Sequence, residues 1–197
     1  MGRWEPDSRG RLEKAALELY MERGFENTTV AEIAERAGLT ERTFFRHFAD
    51  KREVLFSGSA ALEKLLVERV AAAPDAASPL DAVTSALEAA GAVIQERGAW
   101  SQRRQSVINA NAELRERELI KLASLASALA EALRSRGVNE PAASLAAEAG
   151  IGAFKVAFEG WVQQPTKRNL PRLIRESMGQ LRALTAVGSS PDPQGEG

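Results

Sequence analysis

The sequence predicts an all-α protein, and three observations carry that expectation. Apolar residues recur at three- and four-residue intervals along almost the whole chain. The β-branched alternation of strands is missing, as are hairpin turns of the Asn-Gly type. Glycines and capping residues punctuate the periodic stretches at helical lengths.

The first helix is expected over Ser8 to Arg23, with Leu12, Ala15, Ala16, Leu19 and Tyr20 on one stripe. Gly24 sits at its C′ position, and Phe25 comes next as an anchoring apolar residue. Thr29 and Glu32 form a capping-box pair that opens the second helix, whose Val30, Ile33, Ala34 and Ala37 point inward. Gly38 supplies a turn with positive φ, and Thr40 is a good N-cap for the third helix. Asp50 caps a fourth helix, made amphipathic by Val54, Leu55, Leu62, Leu65, Leu66 and Val70. Residues 71–79, rich in alanine and holding Pro74 and Pro79, break the pattern. Two helices are then expected, over Leu80 to Arg97 (closed by Gly98) and Ala99 to about Asn109. A long one from Ala112 to Arg136 is capped by Asn111 and ended by Gly137. The next has Pro141 in its first turn and runs to Val162, and the last covers Leu170 to Ala186. The chain divides into a helix-turn-helix unit with an N-terminal arm (1–52), a helical bundle (53–187) and a tail (188–197) with nothing to bury, expected to be disordered.

Composition narrows the function. With 197 residues, 44% hydrophobic and 27% charged, the chain can bury a real core and has the balance of a soluble globular protein. Cysteine is absent, which excludes disulfides, thiolate metal sites and thiol catalysis. No apolar run reaches the ~18 residues of a membrane helix, and the N-terminus lacks the apolar core of a signal peptide. A cytoplasmic protein with no membrane association is expected. Formal net charge is -1, and the ten basic residues of 1–52 are matched by ten acidic ones. Any affinity for DNA must therefore come from the placement of charge rather than its amount.

Residues 40–48 supply that placement. On a wheel of about 100° per residue, Phe44 and Phe48 face the small core of Leu12, Leu19, Ile33 and Ala37, with Glu41 toward the core side. Arg46 points almost opposite, flanked by Arg42 and Thr43, while Phe45 and His47 sit on the two edges. Arginine can pair bidentately with guanine O6 and N7, and threonine offers a methyl and a hydroxyl to base edges. His47 and Lys51 lie where phosphates would run, and the amides near Thr28 and Thr29 make a second phosphate site. The alternative is a merely solvated helix face. The arm from Gly2 to Arg11, with Arg3, Arg9 and Arg11, is either a minor-groove arm or a floppy terminus.

The stretch from about Arg9 to Leu55 resembles the TetR (tetracycline repressor-like) family of bacterial transcription regulators. The resemblance rests on Thr29, Val30, Ile33, Ala34, Ala37, Gly38, Leu39, Thr40, Thr43, Phe44, Phe45, His47, Phe48, Lys51, Val54 and Leu55 at their spacing. It implies an all-α homodimer whose N-terminal helices bind a palindromic operator in double-stranded DNA. Variable C-terminal helices would hold a small-molecule effector and the dimer interface. It carries DNA-contact roles to Thr29, Thr40, Thr43, Phe45, His47 and Lys51. Two departures stand out: Arg42 where members often have glycine, and Phe45 where they often have tyrosine. Arg42→Ala is expected to alter sequence preference, and Lys51→Ala to weaken all sites alike.

The C-terminal part is less explicit. Phe154, Phe158 and Trp161 fall on one stripe, which is either core or the wall of a ligand site. Residues 100–111 place Trp100, Arg103, Arg104 and Asn109 among amides and hydroxyls in an otherwise apolar region. They line a polar cavity, with Arg103 or Arg104 pairing an anionic effector, or they form a solvated face with salt bridges between helices. The segment with Glu113 to Arg117 after it resembles a TetR subgroup common in actinobacteria, which implies an acyl-CoA-like effector. The last two helices would dimerise through Ala147, Gly150, Ile151, Phe154 and Phe158 facing Leu173, Ile174, Leu181 and Leu184.

Catalysis finds no support: the single histidine lies in the reading helix, and phosphate loops, dinucleotide fingerprints and metal-ligand clusters are missing, so neither cofactor nor metal is expected. The rival to a regulator is a helical ligand-binding or interaction module that has lost DNA binding.

Overall fold

The computed structural model describes residues 7–186, and within them every regular element is helical. The expected tail (188–197) and the part of the arm that holds Arg3 lie outside the described residues. Helices α1 (Ser8–Arg23), α2 (Val30–Arg36) and α3 (Glu41–His47) come first, then a 3-10 turn over Glu53–Phe56. Next in order are α4 (Ser59–Ala71), α5 (Pro79–Glu96), α6 (Gly98–Ala110) and α7 (Ala112–Ser135). The last two are α8 (Ala142–Val162) and α9 (Leu170–Ala186). By their internal contacts the residues fall into two compact units.

The first unit comprises the described residues up to Lys64 together with Arg97–Ser124. Its core joins Leu12, Ala16 and Leu19 of α1, Ile33 of α2 and Phe44 of α3 to Val54–Phe56, and then to Val107, Ile108 and Leu114. The unit is thus wider than the 1–52 segment, because α6 and the start of α7 close the same apolar cluster. Local chemistry fixes the corner as expected. Thr29 and Glu32 make the reciprocal capping box, Thr40 Oγ1 accepts from the Thr43 amide, and Gly24 and Gly38 take φ of 84° and 65°. Asn111 Oδ1 accepts from Leu114 N at the start of α7.

The expected fourth helix is interrupted. Asp50 Oδ1 accepts from the Arg52 and Glu53 amides and starts only the short 3-10 turn. The Leu55 carbonyl accepts from Arg104 Nε at 2.6 Å, and the Ser57 carbonyl accepts from the Arg9 guanidinium. The Leu55 carbonyl lies in the 3-10 turn and that of Ser57 in the break after it, and α4 begins afresh at Ser59. Gly98 does not close α5 in a left-handed conformation but opens α6, with Arg97 as the N-cap. Pro141 is itself the N-cap of α8 rather than a residue of its first turn. Glu41 is exposed, not turned toward the core.

The second unit comprises Leu65–Glu96 and the described residues from Leu125 onward. Helices α5, α8 and α9 pack on one another around Leu87, Ala147, Trp161, Leu170, Ile174 and Met178. Small residues set the closest approaches: a Cβ on Gly150 would lie 2.3 Å from Val83 Cγ1, and one on Gly91 would lie 2.6 Å from Ile174 Cδ1. Arg136 donates to the carbonyls of Val70, Ala71, Ala73 and Pro74, satisfying acceptors left open at the end of α4. Ala147, Gly150, Ile151 and Phe154, expected at an interface between copies, are buried within the chain, as is Ile174. Leu184, also expected at that interface, is 79% exposed, and the large apolar side chains that α8 leaves outside are Leu145 and Val156, at 65% and 63% exposure. No helix among the described residues is long and apolar enough to cross a membrane.

Candidate nucleic-acid interface

Helix α3 is seven residues long, too short to stand alone, and packing holds it in place. Phe44 is wholly buried and its ring meets Phe45 and Phe48, each at 5.4 Å between centroids. With Phe44 and Phe48 inside, Glu41, Arg42, Phe45 and Arg46 are exposed, Phe45 at 55%. The Phe45 ring stands edge-on against Phe44 (82°), which steadies an aromatic group in solvent.

The hydroxyls of the ridge are engaged locally. Thr40 Oγ1 and Thr43 Oγ1 share a hydrogen bond of 3.1 Å. Thr29 gives its amide and its hydroxyl to Glu32, both at 2.9 Å, and Arg23 pairs with the same carboxylate at 2.8 Å. A phosphate approaching the start of α2 would meet that carboxylate. The Thr28 hydroxyl is buried and donates to the Gly24 carbonyl, so it serves the α1–α2 loop rather than a surface.

Lys51 is held tightly. Its ammonium donates to the carbonyls of Phe25 (2.8 Å), Thr28 (3.0 Å) and Glu26 (3.3 Å), and lies 4.4 Å from the Phe25 ring centroid. Its own carbonyl accepts from Tyr20 Oη at 2.6 Å. Burial, reinforced by Asp50, raises the Tyr20 pKa and keeps that phenol a donor. His47 is half-buried, with Nε2 enclosed and without a partner among the described residues. Burial, then the neighbouring Arg46 and Arg9 charges, lowers its pKa below the ordinary 6.5, so the imidazole is neutral near pH 7.

The neutral charge balance of 1–52 resolves into pairs once side chains are placed. Arg36 pairs with Glu22 at 3.0 Å, Arg23 with Glu32, Arg52 with Asp50 and Glu113 at 2.6 Å, and Arg9 with Glu13 at 3.4 Å. Arg42 and Arg46 make no hydrogen bond or ion pair among the described residues. Two unpaired guanidiniums therefore stand together on the outer ridge of α3.

The seven residues read as ligand contacts are divided between the units. Trp100, Arg103, Arg104 and Asn109 belong to the first. There Arg104 reaches the Leu55 carbonyl and Glu118 (3.3 Å) and lies 5.0 Å from the Phe56 ring centroid. Trp100 packs on the core beneath Arg97, Asn109 accepts from Gln105, and Arg103 is exposed. Phe154, Phe158 and Trp161 belong to the second unit, as an aromatic row with centroids 5.9 and 5.7 Å apart. Sequence reasoning missed Arg52, Glu53 and Arg117, which lock this unit together with Arg104, for which a salt bridge between helices is one of the two sequence readings. Glu53 accepts from both Arg117 (2.5 Å) and Lys121 (3.0 Å), and only their alternating charges hinted at it.

The model of the tetR family of bacterial regulatory proteins matches residues 12–57, and that of the MftR C-terminal domain matches residues 77–186. The chain is 39% identical over 82 residues to the HTH-type transcriptional regulator TcmR of Streptomyces glaucescens, a match spanning 42% of this chain and 36% of that protein. Among solved structures it resembles FadR of Thermus thermophilus, a TetR-family transcriptional repressor in complex with lauroyl-CoA. The identity is 22%, the TM-score 0.59, and the likeness covers 96% of this chain and 100% of that one. It also resembles SmeT bound to triclosan, at 20% identity and a TM-score of 0.64 over 96% of this chain and 99% of that one. SmeT is the repressor of a Stenotrophomonas maltophilia multidrug efflux pump. At such identities the structural likeness speaks for the fold.

Proposed function

The chain belongs to the tetR family of bacterial regulatory proteins, and from that premise we propose that it is a homodimeric transcriptional regulator that represses from a palindromic operator until a small molecule releases it. One observation carries the reading: Phe44 and Phe48 anchor a helix whose opposite ridge holds the two uncompensated guanidiniums, Arg42 and Arg46. A buried anchor and an exposed cationic ridge are what a major-groove reading helix needs. Regulation of transcription, rather than catalysis, follows from the family, and the site of action is the cytoplasm.

Two reading heads on a palindrome must stand about 34–36 Å apart or at multiples of it, so dimerisation belongs to the mechanism. The exposed Leu145 and Val156 of α8 and Leu184 of α9 support a face for a second copy, with Gly152 between them open to close approach. For the effector, the aromatic row Phe154, Phe158 and Trp161 supports an apolar site in the second unit. Trp161 Nε1 is buried without an acceptor, a donor that a ligand oxygen would satisfy. An acyl-CoA-like effector is favoured by the lauroyl-CoA bound to the Thermus thermophilus structure. Effector and operator oppose each other by linkage: if the effector weakens DNA binding by some factor, DNA weakens effector binding equally.

A gel-shift titration with the DNA flanking the protein's own gene tests the reading. Binding that falls steeply with salt is expected. Failure to bind any duplex would leave a helical ligand-binding module instead. A thermal-shift series with fatty acyl-CoAs tests the effector, since a ligand at about 100 times its Kd adds ~2.7 kcal/mol. No stabilisation would remove that class.

A further inference from the structure

We propose that each operator half-site is recognised through two guanines within about two base-pair steps of one another, one read by Arg42 and the other by Arg46. This rests on the reading of α3 as a DNA-binding helix and goes further, assigning the base class and the two side chains that select it.

The argument begins with position. At about 100° per residue, Arg42 and Arg46 lie about 160° and 200° around α3 from Phe44. Phe44 is fully buried, so the pair straddles the outermost line of the helix. A side chain on that line faces the floor of the major groove, where base edges are presented. Phosphates line the walls, which the flanks of the helix face.

Availability is the second step. The hydroxyls of Thr40 and Thr43 bond each other, and that of Thr29 is taken by Glu32. The Lys51 ammonium is spent on three carbonyls. Glu41, beside Arg42 in sequence, makes no ion pair with either arginine among the described residues. The two guanidiniums are thus the uncommitted strong donors of the ridge. Each offers a planar fork that matches guanine O6 and N7 together, whereas adenine presents a donor at the position of O6.

Spacing is the third. Four residues of α-helix rise about 6 Å, close to two steps of about 3.4 Å along a DNA strand. A helix lying along the groove therefore delivers its two forks to guanines on adjacent pairs or with one pair between them.

The test is selection of binding sites from a randomised DNA duplex with the full chain, followed by anisotropy titrations of the enriched duplex. Both arginines are exposed, so Arg42→Ala and Arg46→Ala should keep the parental melting temperature. Each is expected to abolish the guanine preference at one position of the half-site and leave it at the other. Replacing that guanine by 7-deazaguanine removes N7. It should weaken the parental protein about 5- to 100-fold while changing the matching variant little. Enriched sites without the paired guanines would overturn the proposal, as would variants that lose affinity equally on all duplexes while keeping guanine preference. Absence of both enrichment and salt-sensitive binding would instead overturn the DNA-binding reading beneath it.

Discussion

Replacing Lys51 by methionine separates two roles for one ammonium. Methionine keeps most of the apolar stem and removes the charge. Three carbonyls then lose a charged donor: Phe25 and Thr28, both buried residues, and Glu26, which is exposed and can turn to water. Hydrogen bonds to charged groups contribute about 1.5–3 kcal/mol each. Counting the two enclosed ones at the low end, and the Phe25 ring contact at about 0.5 kcal/mol, gives about 3.5 kcal/mol before side-chain entropy. Restored side-chain freedom returns part of this, and a loss of about 2–3 kcal/mol is expected for Lys51→Met. Urea unfolding followed by circular dichroism measures it. The DNA readout discriminates: a phosphate contact would lower the slope of log K against log salt by about 0.9. A staple of the α1–α2 loop leaves that slope unchanged under conditions where the variant is folded, and this is the result expected. Unaltered stability together with a slope smaller by about one would refute the reasoning and return Lys51 to the phosphate role that the family resemblance implies.

Gly38→Ala is expected to cost about 1–2 kcal/mol in urea unfolding. A Cβ there meets nothing within 4 Å, and the left-handed φ of 65° is the whole penalty. Gly150→Ala should destabilise the second unit through its 2.3 Å clash with Val83, whereas Gly152→Ala, with no neighbour within 4 Å, should not; melting curves compare the two. Leu145→Glu with Val156→Glu should yield a folded monomer with weakened operator binding, and light scattering after gel filtration that still finds a dimer would refute the α8 face. His47 has a lowered folded pKa, so the unfolded chain takes up its proton first. Its contribution to stability is complete above about pH 6.5 and is lost as pH falls through the folded value, a dependence that His47→Gln should reduce in melts at about pH 7.5 and about pH 5.5.

Much of the reading head was legible in the chain. Helix α1, the capping box at Thr29 and Glu32, Gly38 and the Thr40 cap all stand where their residue types place them. Each depends on side chains within four residues of the backbone they serve. The end of α7 at Gly137 and the span of α9 were legible for the same reason. The opposition of Phe44 to Arg46 also comes from the helical repeat alone.

Folding in three dimensions decided the disposition of groups far apart in sequence. The sequence counts as many acids as bases in 1–52; only the pairing of Arg36 with Glu22 and of Arg52 with Glu113 shows which arginines are occupied, leaving Arg42 and Arg46 without an ion pair among the described residues. At the break before α4, the Leu55 carbonyl accepts from Arg104, 49 residues away, a contact that only the folded chain brings about. The burial of Ala147 and Gly150 against α5 turned the other side of α8 outward. Caps and periodicity are encoded within a few residues and can be read in order along the chain. Charge pairing and the choice of a buried face are settled between distant elements, because a partner's chemistry matters only once the fold has brought it within contact distance.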